Sequence, residues 1–127
     1  MVNKRTLLVV DDDPGMRSQL KWGLDEFEVH TAEDREDALR QFSELRPDVV
    51  TLDLGLPPDE EGIGEGLATL EQIMKRAPAT KVVVVSGCVE ADCAKRAVES
   101  GAFEFYPKPV DIDKLGEIID RAFKDSR

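Results

Sequence analysis

Cysteine is scarce in this sequence: Cys88 and Cys93 are the only two, five positions apart. That excludes a disulfide framework and a four-ligand zinc site, and leaves two small reduced residues of the core or surface. Long apolar runs are also absent. A membrane-spanning helix needs about 20 apolar residues, whereas the runs here, Leu7–Val10 and Val82–Val85, stop after four. The opening MVNKRTLLVVDDD puts basic residues ahead of an apolar stretch too short for a signal-peptide core. Positive charge is in deficit, with 17 Lys and Arg against 27 Asp and Glu and a formal net charge of −10. No basic stripe is left to bind nucleic acid, and an acidic surface mainly serves solubility. The sole histidine, His30, lies in the strand-like EVHTA and reads as a packed or edge residue rather than a phosphotransfer group. Gly/Ser linkers, low-complexity tracts and internal repeats are missing too. The expectation is one domain over 1–127, cytoplasmic, touching neither membrane nor nucleic acid.

What the sequence does contain is alternation. Strand-like runs occur at Thr6–Val10, Glu28–Ala32, Val49–Leu54, Lys81–Ser86 and Ala102–Tyr106. Helical stripes follow each: Leu20, Leu24 and Phe27; Ala38, Phe42 and Leu45; Leu67, Leu70 and Met74; Ala94, Ala97 and Val98; Leu115, Ile118 and Ile119. Asp34 and Asp111 are candidate N-caps, Pro47 and Pro78 follow helix ends, and Gly101 suits a C-terminal cap. Strands alternating with helices at this spacing predict an α/β fold, a doubly wound five-stranded parallel sheet (βα)5 with helices on both faces. The runs at 6–10, 49–54 and 81–86 are almost continuously apolar, as strands covered on both faces are.

In such a sheet, ligands bind beyond the carboxyl ends of the strands. Polar residues stand at four of those ends: Asp11 and Asp12 after the first strand, Asp53 in the third, Ser86 and Gly87 after the fourth, and Lys108 after the fifth. Asp11, Asp12 and Asp53 form an oxygen-rich set suited to Mg²⁺. With an ammonium from Lys108 and a hydroxyl from Ser86, the set has the parts that clamp a transferring phosphoryl group, and a carboxylate can itself be the nucleophile. Singly, each residue has a plainer reading. Asp13 before Pro14-Gly15 is a helix cap, Asp53 a turn residue, Ser86 a cap and Lys108 a solvated lysine. Their joint position on four strand ends carries the case.

The segments LLVVDDDP, TLDLGLP, VVVVSG and GAFEFYPKP resemble, in order, the four motifs of the response-regulator receiver domain of two-component signalling. That resemblance implies a flavodoxin-like fold with strand order 2-1-3-4-5, a topology that general treatments of switch points illustrate with a chemotaxis receiver. It makes Asp53 the phosphoacceptor, served by a sensor histidine kinase or a phosphotransfer protein in a phosphorelay. It makes Asp11, Asp12, Asp53 and the Gly55 backbone carbonyl the Mg²⁺ ligands, Lys108 the phosphate-pairing lysine, and Ser86 and Phe105 the switch pair. Such a domain is no enzyme in the usual sense; it catalyses its own phosphotransfer and dephosphorylation. The resemblance further implies a cis peptide at Lys108–Pro109, a phosphorylation-dependent homodimer, and a kinase-docking face on the first helix, where Met16, Gln19 and Trp22 stand off the core stripe. Two features depart from the family pattern. The segment LPPDEEGIGEGLATL is longer than usual, so that 58–65 either folds over the site or projects from it. Pro107 directly precedes Lys108, which an edge strand tolerates. This loop and FYPKPVD are similar to the N-terminal receivers of sigma-54-dependent activators, which regulate transcription.

Two other functions compete. The run VVDDDPG also satisfies the Asp-x-Asp motif of haloacid-dehalogenase-type phosphatases through Asp11 and Asp13, but the later acidic pair, Asp111 and Asp113, falls in a helix start. A binding-only receiver would keep the fold without phosphorylation, and no required group is missing here to favour it.

Overall fold

A computed structural model describes residues 4–126, so the outermost residues of the expected 1–127 unit lie outside it. Five strands and five helices alternate: β1 (Thr6–Val10), α1 (Pro14–Gly23), β2 (Glu28–Ala32), α2 (Arg35–Leu45), β3 (Val49–Leu52), α3 (Gly64–Arg76), β4 (Lys81–Ser86), α4 (Ala91–Glu99), β5 (Glu104–Pro107) and α5 (Ile112–Asp125). The strands form one parallel sheet in the order β2-β1-β3-β4-β5. The expected architecture is therefore the observed one. β5 is an edge strand, which accommodates Pro107, and His30 lies on the opposite edge strand beside Glu28.

Alternation along the strands divides the core in two. Leu8, Val10, Val50, Leu52, Val82 and Val84 face α2, α3 and α4 through Phe42, Leu70, Ile73 and Ala97. Leu7, Val9, Val49, Val83 and Val85 face α1 and α5 through Leu20, Leu115, Ile119 and Phe123. Strands covered on both sides need apolar residues at consecutive positions, the pattern the sequence shows in β1, β3 and β4.

The helix ends follow the cap chemistry. Asp13 accepts from the Gly15 N–H, Asp34 from Asp37, and Asp111 from both Asp113 and Lys114. Gly101, at φ 109°, ends α4 in a conformation that side chains disfavour. Five expectations are corrected. β5 runs Glu104–Pro107 rather than Ala102–Tyr106, because the Ala102 N–H is held by the Ala97 carbonyl at the end of α4. β3 ends at Leu52 rather than Leu54, because the chain turns out of the sheet to enter the site. Phe27 lies beyond α1, which stops at Gly23, although Leu20, Leu24 and Phe27 still share one cluster. In α4 the buried pair is Cys93 and Ala97, one turn apart, while Val98 faces outward. Cys88 and Cys93, expected as reduced thiols, are joined as a disulfide: the start of α4 folds back over the loop and brings their Cα atoms to 6.4 Å. Cis peptides stand at Lys108–Pro109, as the resemblance implied, and at Pro57–Pro58.

Candidate functional site

β1 and β3 are neighbours, so the residues that leave their carboxyl ends come out side by side. Asp11, Asp12 and Asp53 each bring a carboxylate oxygen within 4.8 Å of the others. Asp11 is 2% and Asp53 7% exposed, whereas Asp12 is half-buried. Local hydrogen bonds hold the loop: the Asp13 N–H donates to Asp11 Oδ1 at 2.9 Å, and Arg17 Nη1 to the Asp11 carbonyl at 2.9 Å. Arg17 stands in none of the sequence motifs. Its signal was a cation one turn into the helix that follows the aspartates.

Lys108 leaves β5 from the other side. Its Nζ lies 3.1 Å from Asp11 Oδ2 and 3.5 Å from Asp53 Oδ2, and its backbone N–H is held by the Ser86 carbonyl at 2.8 Å. Burial works against the ammonium charge, but the Asp53 and Asp11 carboxylates outweigh it and hold the Lys108 pKa above the ordinary range. Burial, reinforced by the Asp11 charge, pushes Asp53 up to about 6, although Lys108 and the Gly55 N–H favour its carboxylate. Asp11 is also raised, chiefly by burial, against the Asp13 N–H and Lys108. One ammonium thus faces three carboxylates and leaves them under-compensated. That imbalance, together with an all-oxygen donor set, fits a hard divalent cation.

Ser86 closes β4, 3% exposed, with its Oγ accepting from the Cys88 N–H at 3.1 Å. Phe105 is half-buried against the α2/α3/α4 side of the core and pairs in register with Val84. Ser86 and Val84 share a face of β4, so the hydroxyl and the phenyl ring lie on one side of the sheet. Tyr106 faces the other cluster and donates no switch group; its hydroxyl accepts from the Asp111 N–H.

The long loop after β3 folds over the rim rather than projecting from it. Glu60, Glu61, Gly62 and Ile63 wall a cleft of about 460 Å³ shared with Asp12, Asp53, Ser86 and Lys108. Gly55 makes this closure possible: a Cβ there would stand 2.5 Å from the Glu60 carbonyl oxygen. The acidic wall was legible only as an insertion.

Residues 7–120 match the response regulator receiver domain. The chain belongs to that family. It is 35% identical over 121 residues to chemotaxis protein CheY of Listeria monocytogenes, covering 93% of this chain and 98% of that protein. Regulatory protein AtoC of Escherichia coli K12 is 32% identical over 120 residues. There the match covers 93% of this chain but 25% of the relative, so the chain spans about a quarter of that regulator's length. Among solved structures, the receiver domain of NtrX from Brucella abortus superposes with a TM-score of 0.84 at 33% identity, covering 93% of this chain and 98% of that one.

As a receiver, the chain is a signalling domain of the phosphoacceptor class, whose members interact with histidine kinases or phosphotransfer proteins. Of the residues named from sequence, Asp11, Asp12, Asp53, Gly55, Ser86 and Lys108 converge. Met16, Gln19 and Trp22 lie on α1, away from the cleft. Trp22 is 76% exposed and Gln19 is exposed, but Met16 is half-buried against the core, so the expected exposed Met–Trp patch reduces to Gln19 and Trp22. Asp13 and Asp111 spend their carboxylates on helix caps, which removes one member of each of the phosphatase motif's acidic pairs from the chemistry. No helix among the described residues is long and apolar enough to cross a membrane.

Proposed function

We propose that this receiver takes a phosphoryl group on Asp53 from a phosphohistidine of a sensor kinase or phosphotransfer protein. The observation that carries it is the meeting of Asp53, Asp11 and Lys108: a buried carboxylate within 3.5 Å of an ammonium that it shares with a second carboxylate. The Asp53 oxygen attacks phosphorus, a P–O bond forms as the P–N bond to the donor imidazole breaks, and the imidazole leaves to take up a proton. Lys108 pairs with the phosphoryl oxygens as they move onto Asp53. Hydrolysis is the reverse in kind, water attacking phosphorus and releasing the Asp53 carboxylate.

Asp11, Asp12, Asp53 and the Gly55 carbonyl would hold Mg²⁺, which supplies positive charge against the carboxylates and the phosphoryl oxygens. Ser86 and Phe105 form the switch, and the α4–β5–α5 face is the surface that changes and supports a homodimer. Gln19 and Trp22 on α1 contribute to the kinase-facing side. The domain works as a single unit over 1–127 in the cytoplasm without touching DNA. The likeness to AtoC and to the transcriptional regulator NtrC, 33% identical over 120 residues in Escherichia coli K12, supports a position as the receiver of a sigma-54-dependent activator.

Acetyl phosphate and Mg²⁺ followed by peptide mapping tests the assignment. Phosphate is expected on the peptide bearing Asp53 and is lost in Asp53→Asn, whose amide cannot attack. Phosphate on Asp11 would overturn it.

A further inference from the structure

The disulfide between Cys88 and Cys93 closes a ring over the junction of β4 and α4, and that junction is where the proposed switch begins. Cys88 borders the cleft two residues after Ser86, and its N–H is the donor that holds the Ser86 hydroxyl. Cys93 is buried in α4 one turn before Ala97, and Ala97 belongs to the core cluster against which Phe105 packs. The ring therefore links the hydroxyl that must turn towards the phosphoryl group to the helix that must yield. Cys88 is half-buried beside the 96% exposed Val89 while Cys93 is 3% exposed, so a small molecule from solvent meets Cys88 first.

We infer that Cys88 and Cys93 are a reversible thiol–disulfide site whose oxidation restrains the Ser86 switch; this rests on the phosphoacceptor reading of Asp53. The oxidant is a small-molecule disulfide. A Cys88 thiolate attacks one of its sulfurs, forming a mixed disulfide and expelling one thiol. The Cys93 thiolate then attacks the Cys88 sulfur and expels the second thiol. Two protein thiols lose two protons and two electrons, and the small disulfide takes up both as two thiols. Disulfides in reducing compartments are in general transient or sensory, which suits a reversible pair in a receiver.

In the oxidised protein, Cys88 cannot release Ser86 without dragging the first turn of α4. Phosphorylation and the disulfide thus oppose each other, and linkage makes the opposition mutual. The test is a titration in glutathione buffers, with the oxidised fraction read by alkylation and mass, with and without Mg²⁺ and beryllofluoride. Half-oxidation is expected at a ratio of squared glutathione to glutathione disulfide at least about fivefold lower when the phosphoryl mimic is present. Ser86→Ala should abolish that shift while the disulfide still forms. Failure to form the disulfide at any ratio, an unchanged midpoint or a shift in the opposite direction would each overturn the inference. Acetyl phosphate labelling in the reduced protein separates the two readings. An unlabelled Asp53 overturns the phosphoacceptor assignment, and the coupling falls with it; a labelled Asp53 with an unchanged midpoint overturns the coupling alone.

Discussion

Asp53 carries a carboxyl group that burial and the Asp11 charge push up to about 6, from an ordinary value of 3.8. Between those two values the folded chain holds a proton that the unfolded chain has released. In metal-free solution the contribution of this group therefore favours folding at low pH and is lost as pH rises through about 6. Asp53→Asn removes the charge and keeps the shape. In chelator at pH 7, thermal unfolding of the variant is expected to show about 1–2 kcal/mol more stability than the parent, or roughly 3–8 °C. At pH 4 the two should melt together; a variant that melts lower at pH 7 would mean the carboxylate is well compensated. Thr51 offers a second test at the same scale. Its Oγ1 is the one buried side-chain polar atom without a hydrogen-bond partner among the described residues, and the residue is 1% exposed in the middle of β3. Valine matches its shape without the hydroxyl, so Thr51→Val should raise stability by about 1 kcal/mol in a urea titration. A loss would show that the hydroxyl is satisfied by water.

At the level of elements, α3 approaches the end of β3 closely enough to exclude a side chain. A Cβ on Gly66 would stand 2.2 Å from the Leu54 Cα, and the Gly66 N–H donates to the Leu54 carbonyl at 3.2 Å. Helix propensity alone says that alanine should stabilise α3 by about 1 kcal/mol. Packing says the reverse, because backbone cannot move aside as a flexible side chain can. Gly66→Ala is expected to lower the urea midpoint, costing about 2–3 kcal/mol. The sign decides between propensity and packing. The elements themselves were plain in the sequence: β1, β2 and β4 have the bounds of the strand-like runs, and Asp34 and Asp111 cap where their spacing put them. The site was legible for the same reason, since each strand end delivers its polar residue to one rim. What escaped depends on contacts between distant or irregular segments. Phe27 and Met16 are apolar, but that Phe27 falls beyond α1 and that Met16 turns inward both depend on packing against α5 and the sheet. The fold of 58–65 rests on Gly55 and Gly66 meeting backbone that no periodicity encodes. The Cys88–Cys93 pairing depends on how the loop enters α4, and five residues of separation alone gave no sign of it.

Across the whole molecule, the sheet separates two core halves, and the proposed switch uses only one. Ser86 and Phe105 lie on the face covered by α4, and α1, with Gln19 and Trp22, packs on the other. A phosphoryl oxygen on Asp53 attracts the Ser86 hydroxyl as a charge-assisted hydrogen bond, and movement towards it draws the Ser86 oxygen away from the Cys88 N–H. The space Ser86 leaves admits Phe105, which has no hydroxyl to hold it outward. The packing of β5 against α4 changes as the ring moves in. The proposed docking residues on α1 are separated by the sheet from α4, although α5, the other helix of the proposed output face, packs on the same side as α1. Ser86→Ala cuts this route at its first step while leaving Asp53, Asp11 and Lys108 in place. The variant should still accept phosphate from acetyl phosphate, but its beryllofluoride-dependent association, followed by sedimentation in reductant, should weaken by roughly fivefold or more. The net charge of −10 makes two copies repel at low ionic strength, so the comparison belongs at a fixed salt concentration near 0.15 M. Association that survives undiminished in Ser86→Ala would mean that phosphorylation reaches the α4–β5–α5 face by another path. The β3–α3 loop, whose Glu60 and Glu61 already wall the cleft, would be the first place to look.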